Sequence, residues 1–181
     1  LALAIAIAAL VYDKFTKPHP LWGPLSMGIC RGLNLLLGMS ILPPAIARWW
    51  FLAIVPVIYI AAITMISRRE VDGGKKSVLS FAAFLYATVI AVLFIFSWLN
   101  ASIIFTLTFL FFFTFLIFRP LWAALRDPAP GKIGRSVKAG VIALIVMNAA
   151  WAAAFASWEI ALVILLLLPV SLLLAKIFAV T

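Results

Sequence analysis

The segment Ser67-Arg68-Arg69-Glu70-Val71-Asp72-Gly73-Gly74-Lys75-Lys76-Ser77 concentrates, in an otherwise apolar chain, the side chains best suited to chemistry. Glu70 and Asp72 are two carboxylates able to share a Mg²⁺, and Arg68, Arg69, Lys75 and Lys76 are cations able to neutralise a diphosphate. Mg²⁺ characteristically joins one or two carboxylates to substrate phosphates. The chemistry such a set serves is departure of diphosphate from an allylic group. The ordinary reading of the same residues is a solvated turn whose charges set membrane topology.

A second polar set lies in an apolar run. Met27, Arg31, Asn34 and Gly38 share one narrow stripe at about 100° per residue, so a cation, an amide and a small residue lie on one helix face. An unpaired cation in hydrocarbon is costly, and such groups usually face a bundle interior or an aqueous cavity, which makes Arg31 a candidate site residue. The alternative is that Arg31 snorkels or bonds backbone carbonyls, while Gly28, Gly32 and Gly38 let helices pack closely.

Other chemistries have no seat in this sequence. Cys30 is the only cysteine, so neither an intrachain disulfide nor a multi-Cys metal site can form. His19 is the only histidine, which excludes a His pair on zinc, a bis-His haem and a Ser-His-Asp relay. Set between Pro18 and Pro20, it reads as an interfacial spacer. No P-loop and no Gly-x-Gly-x-x-Gly fingerprint occurs.

The elements that must position these residues are membrane helices. Of 181 residues, 67% are hydrophobic and 10% charged, and the mean hydropathy is +1.28. A soluble domain of this length cannot hide so much apolar surface in one core. A span needs about 20 mainly apolar residues, and strands of a barrel would alternate polar with apolar, so the expected fold is an all-α, multi-pass transmembrane bundle. Six full spans are expected, near Leu21–Leu42, Trp49–Ser67, Val78–Trp98, Ser102–Phe118, Ser136–Ala156 and Ile160–Val180. Leu1–Tyr12 would reach only about 18 Å at 1.5 Å per residue. It reads as the end of a truncated span, so one transmembrane domain lacking its N-terminal helices is expected over 1–181.

Charge gives this bundle a direction. With the spans in order, one side carries Lys14, Lys17, Arg68, Arg69, Lys75, Lys76, Arg119, Arg126, Lys132, Arg135 and Lys138, and the other only Arg48. The positive-inside rule then puts the basic loops in the cytoplasm, as expected of a bacterial inner-membrane protein. The net charge of +9 is topology signal and attraction to anionic lipid headgroups, and a nucleic-acid partner is not expected. Pro18, Pro20, Pro43, Pro44, Gly73-Gly74 and Asp127-Pro128-Ala129-Pro130-Gly131 punctuate the loops. Trp22, Trp49, Trp50, Trp98, Trp122 and Trp158 fall near expected span ends, where indole rings prefer the headgroup level. Pro56 and Pro169 fall inside spans that they are expected to bend. No pair of broken helices or buried opposite charges points to transport.

Three places carry a family resemblance. Tyr12-Asp13-Lys14-Phe15-Thr16-Lys17 is similar to a Tyr-and-Lys loop preceding a glycine-rich span, Met27-Gly28-Ile29-Cys30-Arg31-Gly32-Leu33-Asn34 with Gly38 to a Cys-Arg-Gly-Leu-Asn segment, and Asp127-Pro128 through Arg135-Ser136-Val137-Lys138 to a last cytoplasmic loop. With these the chain resembles, over nearly its whole length, the C-terminal part of the UbiA superfamily of intramembrane prenyltransferases, closest to its UbiA-like EboC-type branch. The Cys-Arg-Gly-Leu-Asn segment is the most specific of the three.

The resemblance implies a cavity open to lipid in which two Asp-rich motifs hold Mg²⁺ and a prenyl diphosphate. The first motif is not present, and on this reading belongs upstream of Leu1. Aligning Gly74-Lys75-Lys76-Ser77 with the second motif's trailing Gly-x-Lys-Ser leaves Glu70 on an acidic position, Ile66 and Arg69 where Asp is expected, and Asp72 displaced. The implied diphosphate ligands are Lys14, Lys17, Arg31, Asn34, Arg68 and Arg69, and the implied Mg²⁺ ligands are Glu70 and Asp72. No catalytic residue is assigned. Arginine can also bind phosphate directly through its bidentate fork.

Two functions follow from this. One is a prenyltransferase-type enzyme in which stabilising the leaving-group charge supplies most of the rate. The other is a non-catalytic integral subunit of a larger membrane complex, binding lipid, quinone or pigment; the degenerate carboxylates and the Phe-rich run Phe105–Phe118 favour it. A truncated bundle would also need partner chains, with one covering the Met27, Arg31 and Asn34 stripe.

Overall fold

The computed structural model describes residues 1–68, 70, 74–99 and 103–177. Every regular element among them is helical. In order these are α1 (Ala2–Val11), a π-helical turn (Tyr12–Thr16), α2 (Trp22–Met39), α3 (Pro43–Trp49), a 3-10 turn (Trp50–Ala53), α4 (Ile54–Ser67), α5 (Lys76–Leu99), α6 (Ile103–Arg126), α7 (Pro130–Phe155), α8 (Trp158–Leu165) and α9 (Leu167–Ile177). Four helical stretches are long and apolar enough to cross a membrane: Pro43–Ser67, Lys76–Leu99, Ile104–Arg126 and Pro130–Phe155. Of the other two expected spans, Leu21–Leu42 corresponds to α2, whose Arg31 and Asn34 dilute its apolar run. Ile160–Val180 falls on the shorter apolar stretch Trp158–Leu174, interrupted between α8 and α9.

Proline explains most of the local irregularity. A proline lacks the N–H that would bond the carbonyl four residues back. Pro56 cannot donate to Leu52, and the chain there passes through the 3-10 turn Trp50–Ala53 before α4. Pro169 likewise cannot donate to Leu165, at the interruption between α8 and α9. At helix starts the missing donor costs nothing, and α3 and α7 both open on proline at their first positions. Starting α7 at Pro130 rather than near Ser136 puts Lys132 and Arg135 on a helix instead of in a loop.

The chain forms two compact units, Leu1–Val89 and Ile90–Thr181, with the boundary inside α5. In the first, the core of α4 (Val55, Tyr59, Ala62, Ile63, Ile66) and the start of α5 (Leu79, Ala82, Tyr86, Val89) is buried, and the Tyr59 and Tyr86 rings lie 5.2 Å apart. Helix α2 meets α4 through its glycines. A Cβ on Gly28 would run into the Val57 carbonyl, and one on Gly32 would lie 2.7 Å from Val57 Cγ2 and 2.9 Å from the Ala53 carbonyl oxygen.

In the second unit, α6 buries Phe109, Leu110, Phe113, Ile117, Leu121 and Ala124, a helical repeat of one face. Helix α7 buries Ile133, Ser136, Gly140, Ala143, Met147, Ala150 and Ala154 at the matching spacing. Phe109, Ala149, Ala150, Ala153 and Ala161 join α6, α7 and α8 in one cluster. Trp22, Trp50, Trp98, Trp122 and Trp158 are exposed, as membrane-interface anchors would be.

Candidate functional site

The polar end of the first unit is organised by a wide turn. After α1 the backbone loosens into π geometry, with the Lys17 N–H donating to the Tyr12 carbonyl at 2.9 Å. Such turns are frequent at functional sites. The turn carries Asp13 and Lys14, then delivers Lys17, Pro18, His19 and Pro20 to the start of α2. Thr16 Oγ1 and Ser26 Oγ are 2.6 Å apart and tie the turn to the first turns of α2. Ser26 Oγ also donates to the Trp22 carbonyl at 2.7 Å.

Arg68, at the end of α4, closes this end of the unit. Its Nη1 donates to the Lys17 carbonyl and its Nη2 to the Pro18 carbonyl, the latter at 2.7 Å, across 51 and 50 residues of sequence. Two parallel bonds from one planar fork fix the loop's position as a single-point lysine would not. Gly23 makes the approach possible: a Cβ there would lie 3.0 Å from Arg68 Nη1, 3.0 Å from the Thr16 carbonyl oxygen and 3.1 Å from that of Lys17.

Among the expected diphosphate ligands, Lys17 and Arg68 are therefore brought to one place. Lys14 is exposed, with Nζ 5.4 Å from the centroid of the Phe15 ring. Lys17 Nζ lies 4.0 Å from Asp13 Oδ1, and both groups are largely exposed, so this pair contributes little. Arg31 and Asn34 sit deeper on α2: Gly23 to Arg31 is roughly 12 Å along the helix axis, and Asn34 is about a turn further. Arg31 is half-buried, while Met27 and Asn34 are exposed, and a Cβ on Gly38 would meet nothing within 4 Å. Glycine at 28 and 32 thus serves close packing, and Gly38 does not.

Glu70 is exposed, with its backbone N–H on the Ser67 carbonyl at 3.0 Å. Arg69 and Asp72 lie outside the described residues. Among the described residues, no three His, Cys, Asp or Glu side chains come together as a metal site, and Glu70 is the only one of the two expected Mg²⁺ ligands that is described. One carboxylate is a sufficient protein ligand for Mg²⁺ only when substrate phosphates supply further oxygens.

Sequence reasoning missed the roles of Gly23, Thr16, Ser26 and His19. His19 is more than a spacer: its Nδ1 accepts from the Trp22 N–H at 3.2 Å and, more loosely, from the Leu21 N–H at 3.4 Å, serving otherwise open donors at the start of α2. The usable signal was a side-chain acceptor just before a helix opening on Gly-Pro. The Gly23 contact had none, because it depends on a residue from α4.

No family model, no curated protein and no solved structure matches the chain. Fold and site define a class: a protein whose regular elements among the described residues are all helical, four of those helical stretches able by length and composition to cross a membrane, with a basic end on its first unit held together by a guanidinium on backbone carbonyls.

Proposed function

We propose that the chain is a UbiA-like integral membrane protein of the bacterial inner membrane, with its basic loops cytoplasmic. On this reading the first unit binds a prenyl diphosphate or related isoprenoid lipid. The observation that carries it is the junction of Arg68 with Lys17 and Pro18, which joins two basic segments 51 residues apart at one end of a glycine-packed helix pair. Lys14 and Lys17 supply ammonium groups for the diphosphate. Arg68 shapes the loop that presents them and keeps further N–H donors for the anion, since a guanidinium carries five. Glu70, with Asp72, would hold Mg²⁺, whose chemistry is to neutralise the leaving diphosphate.

The second reading is a UbiA-like integral subunit without catalysis, binding lipid, quinone or pigment and assembled with partner chains. The open face of α2 at Met27, Asn34 and Gly38 favours it, because a polar stripe of this kind needs cover in a membrane.

Binding of geranylgeranyl diphosphate to the full-length protein in lipid nanodiscs, with and without Mg²⁺, tests the first reading. Mg²⁺-dependent binding that weakens in the Glu70→Gln, Asp72→Asn double variant supports a prenyltransferase-type site. No binding in either condition leaves the subunit reading.

A further inference from the structure

The second unit carries a different arrangement of apolar and basic groups. Opposite its buried face, α6 presents Phe111, Phe115, Phe118 and Trp122, spaced by four, three and four residues and so aligned along one side of the helix. Phe111 is 75% exposed, Phe115 50% and Trp122 57%. With Thr114 and Arg119 these residues line a shallow groove of about 510 Å³. Arg119 lies back along it, its guanidinium carbon 5.6 Å from the Phe115 ring centroid, and Arg126 is similarly placed 5.7 Å from that of Trp122.

Arg119 also lines a second groove of about 320 Å³ with Pro120, Ala123, Lys132 and Arg135, where the start of α7 comes against the end of α6. Lys132 Nζ is held by Asp127 Oδ2 at 2.8 Å. Arg135 Nε donates to the Gly131 carbonyl at 3.3 Å, leaving its terminal nitrogens for an anion. Three cations against the one carboxylate of Asp127 leave a net charge of two around this groove. A single arginine thus joins an aromatic, lipid-like surface to a pocket of positive charge.

We propose that this paired groove is a binding site for an anionic phospholipid, one acyl chain lying along Phe111, Phe115 and Trp122 and the phosphate sitting among Arg119, Lys132 and Arg135. Charge complementarity selects this occupant. A partner helix of apolar residues would cover the aromatic stripe but leave the cations unmatched, and a free phosphate would match the cations but leave the stripe bare. A phospholipid carries both chemistries in one molecule, and basic pockets between membrane helices are recurrent sites for anionic headgroups. The site is made only of second-unit residues, and the proposal does not depend on any prenyl diphosphate binding to the first unit.

The test is quenching of Trp122 fluorescence in the full chain, reconstituted in nanodiscs of phosphatidylcholine with a small fraction of either brominated phosphatidylglycerol or brominated phosphatidylcholine. The Trp122→Phe variant isolates the contribution of that ring. Quenching is expected to favour brominated phosphatidylglycerol, to lose about fivefold in apparent preference for each cation removed in Arg119→Gln and Arg135→Gln, and to survive in Arg119→Lys. Added inorganic phosphate at matched ionic strength is expected not to compete. Equal quenching by the two lipids, or competition by phosphate alone, would overturn the proposal. So would protection from both lipids that appears only as the protein self-associates, because a second copy would then be the occupant.

Discussion

In the unit Leu1–Val89 the helices α2 and α4 meet at glycine against backbone carbonyl, whereas in Ile90–Thr181 the buried face of α6 is mostly phenylalanine, leucine and isoleucine and that of α7 mostly alanine, with Gly140 among it. The difference bears on function. Glycine contacts bring backbones together and leave polar residues on α2 beside the seam, and a guanidinium can reach across to fix a loop. Most of the second unit's charged residues, Arg119, Arg126, Asp127, Lys132, Arg135 and Lys138, lie at or beside the turn between α6 and α7. The first unit has a polar end positioned by Arg68, and the second an exposed aromatic stripe on α6 beside basic residues.

The contrast is broken most directly at the seams. Gly28→Leu forces a side chain into the Val57 carbonyl, which cannot rotate away, and should cost about 3 kcal/mol or more. Thermal unfolding in detergent is expected to show a large drop or no folded protein. Ala150→Leu overpacks the α6, α7 and α8 cluster, where Phe109, Ile164 and Leu165 are the side chains with rotamers to adjust, and a loss of about 1–3 kcal/mol is expected in the same assay.

The next effects concern the polar end. Arg68→Ala removes both bonds to the Lys17 and Pro18 carbonyls and should cost about 1–3 kcal/mol, with Arg68→Lys recovering only part. Hydrogen exchange is expected to accelerate across 12–22 and not in α7. His19→Ala removes the acceptor for the Trp22 N–H, costs about 0.5–1 kcal/mol and speeds exchange at the start of α2 alone. Asp13→Asn is expected to change stability by less than about 0.5 kcal/mol, because its pair with Lys17 is solvent-exposed.

Much of the helix content was legible in the sequence because lipid imposes it. Four of the expected spans have counterparts long and apolar enough to cross, and Pro56 and Pro169 marked the local irregularities. The boundaries at Pro130 and Arg126 were less legible, since a helix can run on past its hydrophobic stretch into charged residues. Gly28 and Gly32 were readable as close-packing positions, although not the carbonyls they approach. The Arg68 fork was not readable at all, because local pattern carries no information about an acceptor 51 residues away. Its charge suggested a phosphate ligand, and the geometry shows first a backbone one.

The most direct test of a diphosphate site on the first unit is a paired titration of geranylgeranyl diphosphate into the full-length protein in nanodiscs, comparing Lys14→Gln, Lys17→Gln with Lys132→Gln, Arg135→Gln. Mg²⁺-assisted binding is expected to be lost in the first variant and kept in the second. Equal loss in both, or binding unaffected by removal of Lys14 and Lys17, would contradict it.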